Sequence, residues 1–105
     1  MKAFYLFLGS LFGLSFLAQA ETLPNSDFIK AEKIYKRSCA TCHGKKGEKP
    51  AMGESKIIHQ LKTEEISTAL LERQKGKLIG AGNPAKQRLT EEEIKALSQF
   101  IPTLQ

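Results

Sequence analysis

The sequence contains no tryptophan, and five of its eight aromatic residues (Phe4, Tyr5, Phe7, Phe12 and Phe16) fall within the first sixteen positions. Beyond residue 20 only Phe28, Tyr35 and Phe100 remain, a poor supply of large side chains for a core. Cysteine is nearly as scarce. Cys39 and Cys42 are the only two, which excludes a disulfide framework, since a bridge between residues three apart closes a tiny loop and constrains little. No stretch alternates apolar and polar residues, so nothing argues for a strand. Internal repeats and low-complexity tracts are also missing, and past residue 20 no apolar run is long enough to span a bilayer.

What is present begins with an export pattern. Lys2 precedes the apolar run 3–18, and the run closes on Ala18-Gln19-Ala20, a small-x-small sequence before the polar Glu21. These are the three parts of a secretory signal peptide, residues 1–20. The alternative is a retained membrane anchor, but the run is shorter than the roughly 18 residues of a spanning helix. Removing twenty residues from 105 leaves 85, one small domain, and the formal charge falls from +5 to +4 because Lys2 is the only charge lost. Below roughly 70–80 residues one core rarely supplies more than about 3–5 kcal/mol, and this domain is close enough to that size that a staple is expected.

The rest reads as helical. Asn25 or Ser26 caps a helix over 27–39, with Phe28, Ala31, Ile34 and Tyr35 on one stripe. Gly44 stops it, and 44–53 is a loop with three glycines, Pro50 and three lysines. Residues 55–61 predict a short helix capped by Ser55. Thr63 caps a further helix that stops at Gly76, and "GKLIGAGNPAKQR" follows as a second loop. Thr90 and Glu93 form a capping box for the last helix, whose apolar face is Ile94, Leu97, Phe100 and Ile101, and Pro102 ends it. The expected fold class is all-α, with two irregular loops on a small helical frame.

The chemistry concentrates in "CATCH", where Cys39 and Cys42 stand three apart and His43 follows directly. Three readings compete. Zinc wants four ligands, and Cys39, Cys42, His43 and His59 are the whole supply, with Cys42 and His43 adjacent and awkward for one tetrahedron. A thioredoxin-like redox pair expects a βαβ pattern. The third reading is a c-type haem attachment, for which C-x-x-C-H is a signature. In it each sulfur adds to a vinyl group at the haem edge and His43 serves as axial iron ligand. A covalently held apolar ring would also supply the staple and core that the sequence lacks.

With these residues in place the chain resembles a small bacterial class I cytochrome c, a monohaem exported electron carrier. The resemblance runs from the helix leading into "CATCHG", through "EKPAMGESKI", to "LTEEEIKALSQFIPTL". It implies a signal peptide at 1–20 and a cytochrome c domain at 21–105, wrapped around one covalent haem c. The first and last helices would cross, with Phe28, Ala31 and Tyr35 meeting Leu97, Phe100 and Ile101. It also implies that Pro50 offers its carbonyl to His43 and that Met52 covers the histidine side of the ring. A carbonyl partner fixes the tautomer and orientation of a ligating imidazole.

The departure lies on the far side of the iron. The family's sixth ligand is a methionine on the loop before the last helix, just ahead of a proline. Here that loop reads "GAGNPAKQRL", with Asn83 in the expected place and Met52 the only methionine after residue 20. Asn83 is the candidate for the sixth position, and His59, Lys77 and Lys86 are chemical alternatives.

Two functions follow. One is electron transfer in the periplasm, without enzymatic turnover, between partners such as an oxidase or reductase. Lys45, Lys46, Lys49 and Lys56, with Lys75, Lys77, Lys86 and Arg88, would steer the protein to an acidic patch. The other is binding or sensing of nitric oxide, carbon monoxide or peroxide at an open sixth site. Nucleic acid is not expected as a partner of an exported chain without a binding motif, and no membrane insertion is expected after cleavage.

Overall fold

The computed structural model describes residues 9, 13, 23–53 and 55–104; apart from Gly9 and Gly13, the expected signal peptide lies outside them. The described residues form five α-helices: α1 (Asn25–Ser38), α2 (Ala40–His43), α3 (Thr63–Gln74), α4 (Asn83–Gln87) and α5 (Glu91–Phe100). Short 3-10 turns occupy Ala51–Gly53, Ile58–Gln60 and Ile101–Thr103. The all-α expectation holds, and there is no strand among the described residues.

Helix α1 starts earlier than the side-chain pattern indicates. Pro24 takes the cap position with no side-chain cap bond. Its carbonyl accepts from the amides of Asp27 and Phe28, both at 3.0 Å, so Asn25 and Ser26 fall inside the first turn. Asp27 in that turn and Lys36 and Arg37 in the last complement the helix dipole. The last helix follows its sequence signature. Thr90 Oγ1 accepts from the Glu93 amide at 3.1 Å, and Glu93 Oε1 accepts from the Thr90 amide at 3.0 Å.

Helix α3 ends at Gln74, and Gly76 acts as the expected stop. The Lys77 amide bonds the Glu72 carbonyl and the Gly76 amide bonds the Arg73 carbonyl, the paired closure of a Schellman motif. It requires the left-handed φ of +74° that Gly76 adopts.

Two elements depart from expectation. The helix expected over 55–61 is only the turn Ile58–Gln60, with Ile57 extended. The His59 amide is drawn instead to the Gly47 carbonyl at 3.3 Å, so a long-range contact overrides the local pattern. The loop 76–88 contains a helix, α4. Gly82 turns the chain into it with φ +81°, and Pro84 sits in its first turn, where a missing amide costs nothing.

The core forms where α1 crosses α5, with α3 packed against the same face of α5. Ala31, Ile34, Tyr35, Ile66, Ala96, Leu97, Phe100 and Ile101 make one buried cluster. Phe28 meets Phe100 edge-on at 5.0 Å between ring centroids, and Tyr35 lies 6.0 Å from the same ring. The expected crossing of first and last helices is present, although Phe28 stays 37% exposed at its edge. All three aromatics remaining after residue 20 are thus spent on one side, and Ala69, Leu70 and Leu71 of α3 remain only half-buried.

Candidate functional site

The C-x-x-C-H sequence sits at a break between two helices. Helix α1 runs to Ser38, and Cys39 interrupts it with φ −118° while its amide still bonds the Tyr35 carbonyl at 2.9 Å. Helix α2 then carries Thr41, Cys42 and His43 through a single turn. It closes at Gly44, whose amide bonds the Ala40 carbonyl at 2.8 Å. Gly44 adopts φ +85°, a conformation that any other residue would resist. Buried Tyr35 secures this turn from the core, its hydroxyl donating to the Gly44 carbonyl at 2.6 Å. Burial pushes the Tyr35 pKa up to about 12. The sequence pattern places Tyr35 in the core but carries no signal for this bond, which links residues nine apart.

Both thiols are free, Cys39 half-buried and Cys42 exposed. The His43 ring is partly buried, and its Nδ1 is shut from solvent with no hydrogen-bond partner. Burial lowers the pKa of His43, and the positive charges of Lys86 and Arg73 lower it further. Burial also lowers the pKa of Lys86, with Arg73 adding to the effect and the two cysteines opposing it. Burial raises that of Cys39, and Lys86 opposes it. Helices α3 and α4 therefore bring Arg73 and Lys86 up to the cysteine motif. The role of Arg73 was not legible in the sequence, where it is one more charge on a helix.

Asn83, the first residue of α4, is 8% exposed. Its Nδ2 donates to the Leu78 carbonyl at 2.5 Å, whereas its Oδ1 is buried without a partner. A buried polar atom without a partner calls for an explanation, and the side chains of the described residues hold two, on the motif and on α4. Pro50 and Met52 follow the motif on the same loop. The Pro50 carbonyl accepts from the Gly53 amide at 2.9 Å. Met52 is 78% exposed and takes a left-handed φ of 57°. His59 lies apart from the motif in a different role. With its proton on Nδ1 it donates to the Leu104 carbonyl oxygen at 3.0 Å, holding the chain's last turn.

No group of three or more His, Cys, Asp or Glu side chains gathers around a metal-sized position among the described residues, so the zinc reading lacks its ligand set. The donors fit haem. Two unpaired thiols stand one turn apart, an imidazole follows directly, and two buried polar atoms lack partners. The exposed apolar side chains of Met52, Leu78 and Ile79 lie on the two loops that flank this arrangement. Two thiols and an adjacent imidazole on a small helical frame are the donor set of a c-type cytochrome.

Comparison with known proteins agrees. The family described as cytochrome C oxidase, cbb3-type, subunit III matches residues 27–101, and the chain belongs to this cytochrome c family. Cytochrome c-553 of Helicobacter pylori strain 26695 is 38% identical over 95 residues, covering 90% of this chain and 95% of that protein. Cytochrome c-553 of strain J99 is 38% identical over 92 residues, covering 87% of this chain and 92% of that protein. No solved structure matches significantly. The chain is a small monohaem cytochrome c, an electron-transport protein of a family whose cofactor is covalently bound haem c. Among the described residues, no helix is long and apolar enough to cross a membrane.

Proposed function

We propose that this chain is a periplasmic single-haem electron carrier in which Cys39 and Cys42 form the two thioether bonds and His43 is the axial iron ligand. The observation that carries this reading is the free pair of thiols one turn apart, followed directly by an imidazole with a buried, unpartnered Nδ1. Haem, when bound, supplies an iron that gains and loses one electron. The chain's own part is to hold that group. Cys39 and Cys42 would each add S–H across one vinyl group, and His43 would bind the iron in its neutral form. The depressed pKa of His43 favours that form. The Pro50 carbonyl retains a free lone pair beside its bond to Gly53 and is the partner assigned to the His43 ring. Met52, uncovered by protein, is assigned to the histidine side of the haem.

Asn83 is assigned to the sixth position. The buried, unpartnered Oδ1 supports this, and His59 is already committed to Leu104. Without thioether ligation the potential is lower than in methionine-ligated relatives. Docking to a redox partner, an oxidase or reductase, is assigned to the exposed Lys45, Lys46, Lys49, Lys56, Lys75, Lys77 and Arg88 and the half-buried Lys86. These would meet an acidic patch and speed encounter at low salt.

One set of spectra on the haem-loaded protein tests the reading. It should be reduced reversibly by one electron, lack a sulfur-to-iron charge-transfer band when oxidised, and bind carbon monoxide when reduced. Replacing Asn83 with Ala should increase ligand access. A sulfur band lost in Met52→Leu would overturn the ligand assignment. Tight retention of carbon monoxide or nitric oxide without reversible electron transfer would move the function to ligand binding.

A further inference from the structure

A cleft in the described structure lies between the end of α1, α4 and the start of α5, and reaches Ser38, the residue before Cys39. It measures about 240 Å³, and Arg37, Ser38, Arg88 and Glu93 line it together with apolar Ile34 and Leu89. About 10–15 Å³ of such space is enough for one water, so the cleft has room for a small hydrated anion. Neither arginine is salt-bridged, the Lys36–Glu32 pair being the only one among the described residues. Glu93 already spends an oxygen on the Thr90 amide in the capping box.

We propose that this cleft binds a small tetrahedral oxyanion, inorganic phosphate or sulfate, gripped between the guanidinium groups of Arg37 and Arg88 with the Ser38 hydroxyl as a further donor. Planar guanidinium forks match paired oxyanion oxygens and make charge-assisted bonds that are stronger than neutral ones. The apolar wall of Ile34 and Leu89 reduces screening on one side. The C-terminus of α1 and the N-terminus of α5 both border the cleft, and their opposite partial charges offset each other. The lining then carries about one net positive charge with both arginines present, and about none when either is removed. Both are therefore required. An oxyanion held here ties α4, which begins with Asn83, to the end of α1 two residues before Cys39. The proposal does not depend on the identity of the sixth ligand.

The test is a titration of the reduced, haem-loaded full chain with sodium phosphate at constant ionic strength, read by nitrogen–proton NMR of backbone amides and arginine Nε groups. The expected result is saturable shifts with one common affinity at Arg37, Ser38, Arg88 and Leu89, and slower amide exchange in α4. Arg88→Ala and Arg37→Ala should each weaken binding about tenfold or more. Arg88→Lys keeps the charge but loses the fork, and should also weaken it. Lys33→Ala removes a cation from α1 outside the cleft and should change affinity less than twofold. Unsaturable shifts, an Arg88→Lys protein that binds like the parent, or equal weakening by Lys33→Ala would each overturn the proposal.

Discussion

Replacing Tyr35 with Phe removes one oxygen atom and leaves the ring in place between α1 and α5. In the native protein that oxygen donates to the Gly44 carbonyl at 2.6 Å. An orphaned buried carbonyl would cost about 1–3 kcal/mol, but the Gly44 carbonyl also accepts from the Gly47 amide at 3.2 Å, so it is not left bare. The expected loss is therefore the net value of one hydrogen bond, about 0.5–1.5 kcal/mol. For a domain of this size that corresponds to a melting temperature lower by about 4–8 °C per kcal/mol. The pH dependence is a second, sharper signature. The native Tyr35 pKa is raised from 10.0 to about 12, so the unfolded chain gives up this proton first. The stabilisation is complete below pH 10 and is lost as pH rises toward 12, at up to about 1.4 kcal/mol per pH unit. The Phe variant lacks this alkaline loss. Melting followed by circular dichroism on haem-loaded protein, at pH 7 and at intervals from pH 9 to about 12, measures both effects. A variant that melts within about 1 °C of the parent at neutral pH, or that loses stability in alkali just as the parent does, would refute the role given to this hydroxyl.

Phe100 is 3% exposed and meets both Phe28 and Tyr35, so Phe100→Ala should cost about 3–5 kcal/mol in denaturant unfolding. Phe28→Ala, at an edge that is already 37% exposed, should cost clearly less. Thr90→Ala removes the acceptor of the Glu93 amide and should cost about 1 kcal/mol, read as a lower melting temperature with unchanged haem absorption.

The legible parts of the structure are those with local causes. The stripe Ala31, Ile34, Tyr35, the box Thr90–Glu93 and the stop at Gly76 are all written within a few residues of where they act. The C-x-x-C-H motif is equally local. The helical pattern of 55–61 is overridden because the Gly47 carbonyl, twelve residues from His59, captures the His59 amide. Helix α4 is not legible because three glycines and a proline read as loop, although Gly82 and Pro84 are also the means of starting a helix. The approach of Arg73 and Lys86 to His43, and the bond from His59 to Leu104, depend on how separate helices pack. No window of sequence contains that information. Asn83 lies between these cases. Its position ahead of Pro84 marked it out, while the buried, unpartnered Oδ1 is visible only once α4 is folded.

The most direct test of the central claim is the intact mass of the purified holoprotein, followed by peptide mapping. The account predicts a chain cleaved after Ala20 that carries one haem, retained through acid-acetone extraction and located on the peptide holding Cys39, Cys42 and His43. A mass equal to that of the bare cleaved chain, with both cysteines open to alkylation, would contradict it.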